Sequence, residues 1–176
     1  QEVTRKSLNL PKDSIILCAF HNNHKITPIE FEIWCRILEK IKNSVLWLFS
    51  TNSLACENLK RAALENNVSS NRIIFCERTS YEEYLGRLKL ADIFLDTFNY
   101  NAGATASNAL WAGLPVVTKQ GKCYAARMAS SLLQSVGLAE LITTSESEYE
   151  NLAMKLAQDP EQIAALQQKL SANRIT

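Results

Sequence analysis

Short runs of consecutive apolar residues alternate along the chain with longer stretches in which apolar residues recur every three or four positions. A short apolar run between polar residues reads as a strand buried on both faces, and the three-to-four spacing reads as an amphipathic helix. Strands are therefore predicted at Ser14–Phe20, Ser44–Ser50, Arg72–Cys76, Asp92–Asp96, Pro115–Thr118 and Leu141–Thr143. Helices are predicted between them at Pro28–Ile41, Ser53–Asn66, Tyr81–Leu90, Ala104–Ala112 and Ala125–Val136, and after them at Glu146–Ala157 and Glu161–Ala172. Local chemistry agrees with this division. Thr27 and Pro28 suit the N-cap and first turn of the first helix, and Gly137 suits the end of the fifth. Trp34, Trp47 and Trp111 all fall on apolar faces and are assigned to the core.

Strands and helices in strict alternation imply right-handed crossovers and a parallel sheet with helices on both faces, an α/β, Rossmann-like fold. Near-continuous apolar strands fit burial from both sides. The five Gly and four Pro leave no linker, and no repeat is visible, so residues 1–176 read as a single domain. The chain opens at Gln1 with no initiator Met and ends in a polar tail, Ser171–Thr176, which reads as a segment of a longer protein.

Composition narrows the function. Nineteen Lys and Arg balance eighteen Asp and Glu for a net charge of +1, which argues against a nucleic-acid binder that uses a broad basic face. Apolar runs such as Ile15–Phe20 and Val45–Phe49 fall far short of the roughly 20 residues that a membrane span needs. The five Cys are odd in number and scattered, and neither they nor His21 and His24 have metal-knuckle spacing. A reducing, cytoplasmic setting without a metal is the expectation.

In an open parallel sheet, ligands bind beyond the carboxyl ends of the strands. Two loops there carry the most chemistry. After the fourth strand, Gly103-Ala104-Thr105 is small and opens a helix, so free backbone N–H groups and the helix dipole can receive an anion. Thr105 adds a hydroxyl and Asn108 can reach a ribose, although a plain capped helix start accounts for the spacing equally well. After the first strand, Phe20-His-Asn-Asn-His-Lys-Ile26 places Asn22 and Lys25 just before a helix, where a Lys can neutralise a diphosphate. His21 and His24 have no carboxylate partner in sequence and are read as loop residues. Arg78 and Lys119–Lys122 add charge at the same edge, and Tyr84 and Tyr100 offer aromatic faces. The pair Glu82-Glu83 reads as a dipole-favoured helix start. There is no GxGxxG after the first strand and no Walker motif.

Several linked segments carry a family resemblance. They are Asn43-Ser-Val-Leu-Trp-Leu48, Asn71-Arg-Ile-Ile-Phe75, Leu90-Ala-Asp-Ile-Phe-Leu-Asp-Thr97, Leu110-Trp-Ala-Gly-Leu-Pro-Val-Val-Thr118, Arg127-Met-Ala-Ser-Ser-Leu-Leu133 and Val136-Gly-Leu-Ala-Glu-Leu-Ile142. In this order and spacing they resemble the C-terminal catalytic lobe of the O-linked N-acetylglucosamine transferases and their SPINDLY-type bacterial relatives. The resemblance covers nearly the whole chain. It implies a GT-B glycosyltransferase, inverting and metal-independent, whose C-terminal lobe holds a nucleotide-sugar donor of the UDP-GlcNAc type. It also implies partners: an N-terminal catalytic lobe, upstream tetratricopeptide repeats and a protein Ser/Thr acceptor. The isolated lobe would be inactive.

The resemblance also implies residue roles. Lys25 matches the Lys that contacts the donor diphosphate and stabilises the leaving group, and Asn22 matches an amide near the donor. The family's His-Thr-Thr is Gly103-Ala104-Thr105 here, its ribose-holding acidic residue is Asn108, and the His near the uracil is Tyr84. Tyr84 and the Thr79 backbone are the candidates for the base. The same substitutions fit an alternative, a degenerate non-catalytic nucleotide-binding or interaction module. A sugar-nucleotide epimerase on this fold would need paired carboxylates beside the donor, and these loops carry none.

Overall fold

A computed structural model describes residues 3–173; the first two residues and the last three of the polar tail lie outside the described residues. Among the described residues six strands run β1 (Ile15–Ala19), β2 (Ser44–Phe49), β3 (Ile73–Cys76), β4 (Ile93–Leu95), β5 (Val116–Lys119) and β6 (Ile142–Thr143). They form one all-parallel sheet in the order β3-β2-β1-β4-β5-β6. Among the described residues the seven α-helices are α1 (Pro28–Lys40), α2 (Ser53–Glu65), α3 (Tyr81–Leu88), α4 (Ala104–Trp111), α5 (Met128–Ser135), α6 (Glu146–Ala157) and α7 (Pro160–Asn173). Right-handed crossovers send α1 to one face and α3, α4 and α5 to the other, and α6 returns to pack on α1, β4 and β5.

The strand order reverses between β1 and β4. From β1 the chain proceeds outward through β2 and β3; from β4 it proceeds the other way through β5 and β6. The loops leaving β1 and β4 therefore diverge and open a crevice at the carboxyl edge, the topological switch point of an open α/β sheet.

Local sequence explains the elements that border the crevice. α1 starts with Pro28 behind the N-cap Thr27, and Glu30 completes a capping box. One face of α1 buries Phe31, Trp34, Ile37 and Leu38 against the sheet, as the spacing requires. α4 and α5 each end on a glycine in the left-handed region, Gly113 (φ 86°) and Gly137 (φ 72°), where a Cβ would be strained.

Several expectations need correction. The fifth helix begins at Met128 and not near Ala125, because Ala125 and Ala126 spend their carbonyls on Asn101 N–H (2.8 Å) and Gly121 N–H (2.7 Å), which holds Tyr124–Ala126 in a 3-10 turn. The third helix stops at Leu88, where turn bonds from Leu90 and Ala91 steer the chain into β4. Trp34 and Trp47 are buried, but Trp111 is 60% exposed at the end of α4. An eight-residue helix buries only one stripe, here Ala106, Ala109 and Leu110, and Trp111 falls off it.

Candidate functional site

A cavity of about 340 Å³ occupies the switch-point crevice. The β1 loop supplies Phe20, His21, Asn22 and Lys25, and the β3–α3 region supplies Arg78, Thr79, Tyr81 and Tyr84. Ala104, Thr105 and Asn108 of α4 close the third side. Phe49 completes an aromatic floor, stacked on Phe20 with ring centroids 4.4 Å apart and 6.0 Å from Tyr84. The volume is at the small end of the range typical of ligand pockets.

Seven of the eight residues singled out in the sequence thus share one wall system: Asn22, Lys25, Thr79, Tyr84, Ala104, Thr105 and Asn108. Gly103 is not part of that wall. It is the N-cap of α4, and a Cβ on it would come within 2.8 Å of the Met128 methyl, so its smallness serves packing against α5. A second groove, of about 590 Å³, lies around the amino-terminal ends of β1–β3 and includes Lys6, Lys42 and Arg72. The Arg72 guanidinium is already taken by the carbonyls of Leu38, Ile41 and Ser44, and the open-sheet rule selects the opposite edge.

Lys25 ends a 3-10 turn, Asn23–Lys25, and its ammonium sits 4.0 Å from the centroid of the Tyr100 ring. Burial pulls its pKa down while Asp96 pulls it back up. The Asn22 side-chain oxygen Oδ1 accepts from Arg78 at 2.6 Å, which fixes the amide's orientation. Asn23, by contrast, is structural: its amide donates to the Phe49 carbonyl and its oxygen accepts from Thr51 N–H, strapping the first two loops together.

On the far wall, the Asn108 oxygen accepts 3.0 Å from the Tyr81 hydroxyl, and the Tyr84 hydroxyl meets the side chains of Thr105 and Asn108. Burial pushes the Tyr84 phenol up to about 12, so it stays a neutral donor. The Thr79 hydroxyl donates 2.6 Å to Glu83, which leaves the Thr79 backbone for any ligand. Glu83 also pairs with Arg87 at 2.6 Å, so the acidic start of α3 is a structural ion pair beside the cavity.

Two buried carboxylates hold this arrangement, and sequence reading assigned them no role. Asp96, fully buried at the end of β4, accepts from Thr97 N–H (2.9 Å), Ala102 N–H (2.8 Å) and the Thr118 hydroxyl (2.7 Å). Burial outweighs these bonds and the attraction of Lys25, and raises its carboxyl to about 7. Glu30, also fully buried, accepts from Thr27 with one oxygen and from Phe98 N–H (2.9 Å) with the other. The Trp34 indole N–H donates to the Tyr149 hydroxyl (3.0 Å), which donates to the Asp96 carbonyl (2.9 Å). An ionisable residue closing a buried strand was the available signal, because such a group persists only when it is fully bonded.

His21 is not a loop residue in the solvent-facing sense. It is buried, its Nε2 lies 2.8 Å from the Leu95 carbonyl, and burial lowers its pKa to about 4. A neutral ring facing a carbonyl must carry its proton on Nε2, so that nitrogen is a fixed donor. Lys119 pairs with Glu146 (3.4 Å) and lies over Phe98, so it braces the loop. Among the described residues no cluster of three His, Cys, Asp or Glu could hold a metal ion, and no helix is long and apolar enough to cross a membrane.

A Rossmann-like parallel sheet with a cation and a helix N-terminus at its switch point is the lobe architecture of GT-B glycosyltransferases. Solved structures of that fold superpose on it. Sucrose-phosphate synthase of Thermosynechococcus elongatus has a TM-score of 0.70 at 18% identity, covering 96% of this chain and 42% of that one; at such identity it shows the fold alone. The chain belongs to glycosyl transferase family 41, whose profile matches residues 2–176. A mutant of the Thermobaculum terrenum O-GlcNAc transferase matches with a TM-score of 0.88 and 29% identity over 92% of this chain and 32% of that one. Curated relatives include a UDP-N-acetylglucosamine–peptide N-acetylglucosaminyltransferase of Caenorhabditis elegans, 33% identical over 95% of this chain, and the probable enzyme SEC of Arabidopsis thaliana, 34% identical over 98%. The chain spans 14% and 18% of the length of these two relatives.

Proposed function

We propose that this chain is the nucleotide-sugar donor-binding lobe of a protein O-glycosyltransferase, taking a donor of the UDP-GlcNAc type. The observation that carries the reading is the meeting of Lys25 and the N-terminus of α4 on one cavity. The free N–H groups of Ala104 and Thr105 and the Lys25 ammonium can converge on one diphosphate from two sides. Asn108 takes the ribose hydroxyls, and Tyr84 with the Thr79 backbone takes the base. The relatives' names carry UDP and a peptide acceptor, and the family assignment supports the same pair here.

In the reaction, an acceptor Ser or Thr oxygen attacks the anomeric carbon as the bond to the diphosphate oxygen breaks, inverting that centre. The hydroxyl proton passes to a base on a facing N-terminal lobe. The charge that develops on the departing diphosphate is met by Lys25 and the α4 amides without a metal ion. Tetratricopeptide repeats of the parent protein would present the acceptor, so this lobe alone would not turn over. Five unpaired thiols support a reducing, cytoplasmic setting.

Calorimetric titration of the chain with UDP and with UDP-GlcNAc tests the reading. Binding should appear and fall at least about tenfold in Lys25→Met, the loss expected for one charge-assisted contact. No heat with UDP, GDP or their sugars would overturn it in favour of the degenerate interaction module.

A further inference from the structure

The Lys25 ammonium lies against an aromatic ring that the donor-site reading leaves without a role. Tyr100 belongs to the segment between β4 and α4 and is 56% exposed, yet its ring centroid is 4.0 Å from the Lys25 nitrogen. The distance is well within the roughly 6 Å at which a ring face attracts a cation. A surface ring on a mobile loop could not position anything, but this loop is stapled. The Thr97 hydroxyl donates 2.6 Å to the Tyr100 carbonyl, and the Asn101 amide donates 2.7 Å to the Thr97 carbonyl. Asn101 N–H donates to Ala125, and Asp96 accepts from Thr97 and Ala102 on either side.

Lys25 is fixed from its own side. Its N–H closes the 3-10 turn on the Asn22 carbonyl at 2.9 Å, and Thr27 caps α1 two residues later. Both ends of the pair then hang from one carboxylate: Glu30 grips Thr27 with one oxygen and Phe98 N–H with the other. The ring and the ammonium therefore come from two loops whose separation is set by a single buried side chain.

We infer that Tyr100 is a positioning residue, holding the Lys25 ammonium at the mouth of the cavity so that a diphosphate meets an oriented cation. The inference rests on the proposed donor site. A free lysine side chain samples many rotamers, and a ring that selects one of them reduces the entropy lost when the anion binds. The ring acts through its face, so the phenol hydroxyl is dispensable.

UDP titration of the wild type, Tyr100→Phe, Tyr100→Leu, Lys25→Met and the Tyr100→Leu/Lys25→Met double variant tests this. Tyr100→Phe should bind like wild type, and Tyr100→Leu should bind about two- to fivefold more weakly, the size of an exposed cation–π contact. In the Lys25→Met background Tyr100→Leu should change nothing further, which a merely structural role would not produce. Without ligand, the ring-current shift of the Lys25 ε-methylene protons should persist in Tyr100→Phe and vanish in Tyr100→Leu. Wild-type affinity in Tyr100→Leu, a loss shared by Tyr100→Phe, or a loss that persists without Lys25 would each overturn the inference. If the wild type itself fails to bind UDP, it is the donor-site reading that falls, and the inference with it.

Discussion

Replacing Asp96 by Asn should make the chain lose about 2 kcal/mol of stability, relative to wild type, on going from pH 7 to pH 5. Asp96 is raised from its ordinary 3.8 to about 7 in the folded state. Between those values the folded chain holds a proton that the unfolded chain has released. Its contribution to stability therefore grows as pH falls from 7 and is lost as pH rises toward 7. At about 1.4 kcal/mol per pH unit and proton, with the group half protonated at pH 7 and nearly fully by pH 5, the gain is about 2 kcal/mol. His21 works in the opposite direction. Lowered from 6.5 to about 4, it is neutral when folded and charged when unfolded over that window, so it costs about 2 kcal/mol as pH falls from 7 to 5. The two responses nearly cancel in the wild type, and Asp96→Asn exposes the His21 loss alone. Asn retains an oxygen for Thr97 and Ala102 and an amide that the Thr118 hydroxyl can accept, so the loop keeps its bonds. Urea denaturation followed by tryptophan fluorescence at pH 7, 6 and 5 gives the difference directly. His21→Gln, which keeps a donor near Leu95, should shift the curve the other way. Wild-type and Asp96→Asn stabilities running parallel across the three pH values would refute the reasoning.

Glu30→Ala should cost about 2–4 kcal/mol in the same denaturation assay, because it strips the helix cap and leaves the buried Phe98 N–H without an acceptor. Trp34→Phe should cost about 1–3 kcal/mol by removing the indole donor to Tyr149 and leaving a small cavity above the sheet; a change below about 0.5 kcal/mol would show that the relay to Asp96 carries no stability.

The fold was legible because every strand of a doubly covered parallel sheet must be apolar throughout, and Ile16, Leu46, Phe94 and Val117 meet that requirement with little competing pattern. Element ends were less legible. Met128 opens α5 only because the carbonyls of Ala125 and Ala126 are taken by partners outside the helix, Asn101 in the preceding loop and Gly121 in its own, which helix propensity does not encode. Lys25 and Thr105 were legible as two sides of one cavity, since sheet topology dictates which loops meet. The packing of Gly103 was not legible, because its small size also answers to Met128, 25 residues further on. The supporting carboxylates escaped for the same reason. Glu30 looks like an ordinary capping residue until Phe98 arrives from another loop, and Arg5 gives no sign in sequence that it bonds the Leu90 carbonyl and Asp92 across the sheet's lower edge. Tertiary partners, unlike periodicity, leave no trace in the spacing of a single chain.

The claim on which the account rests is that a cation from the β1 loop and the amides opening α4 serve one diphosphate. A titration of the 15N-labelled chain with UDP, following the Ala104 and Thr105 amides together with the Lys25 side chain, tests it most directly. The account expects all three to shift along one binding curve, with a single affinity, while Lys6 and Lys42 at the other end of the sheet stay still. Shifts confined to Lys25, or to the opposite edge, would contradict it.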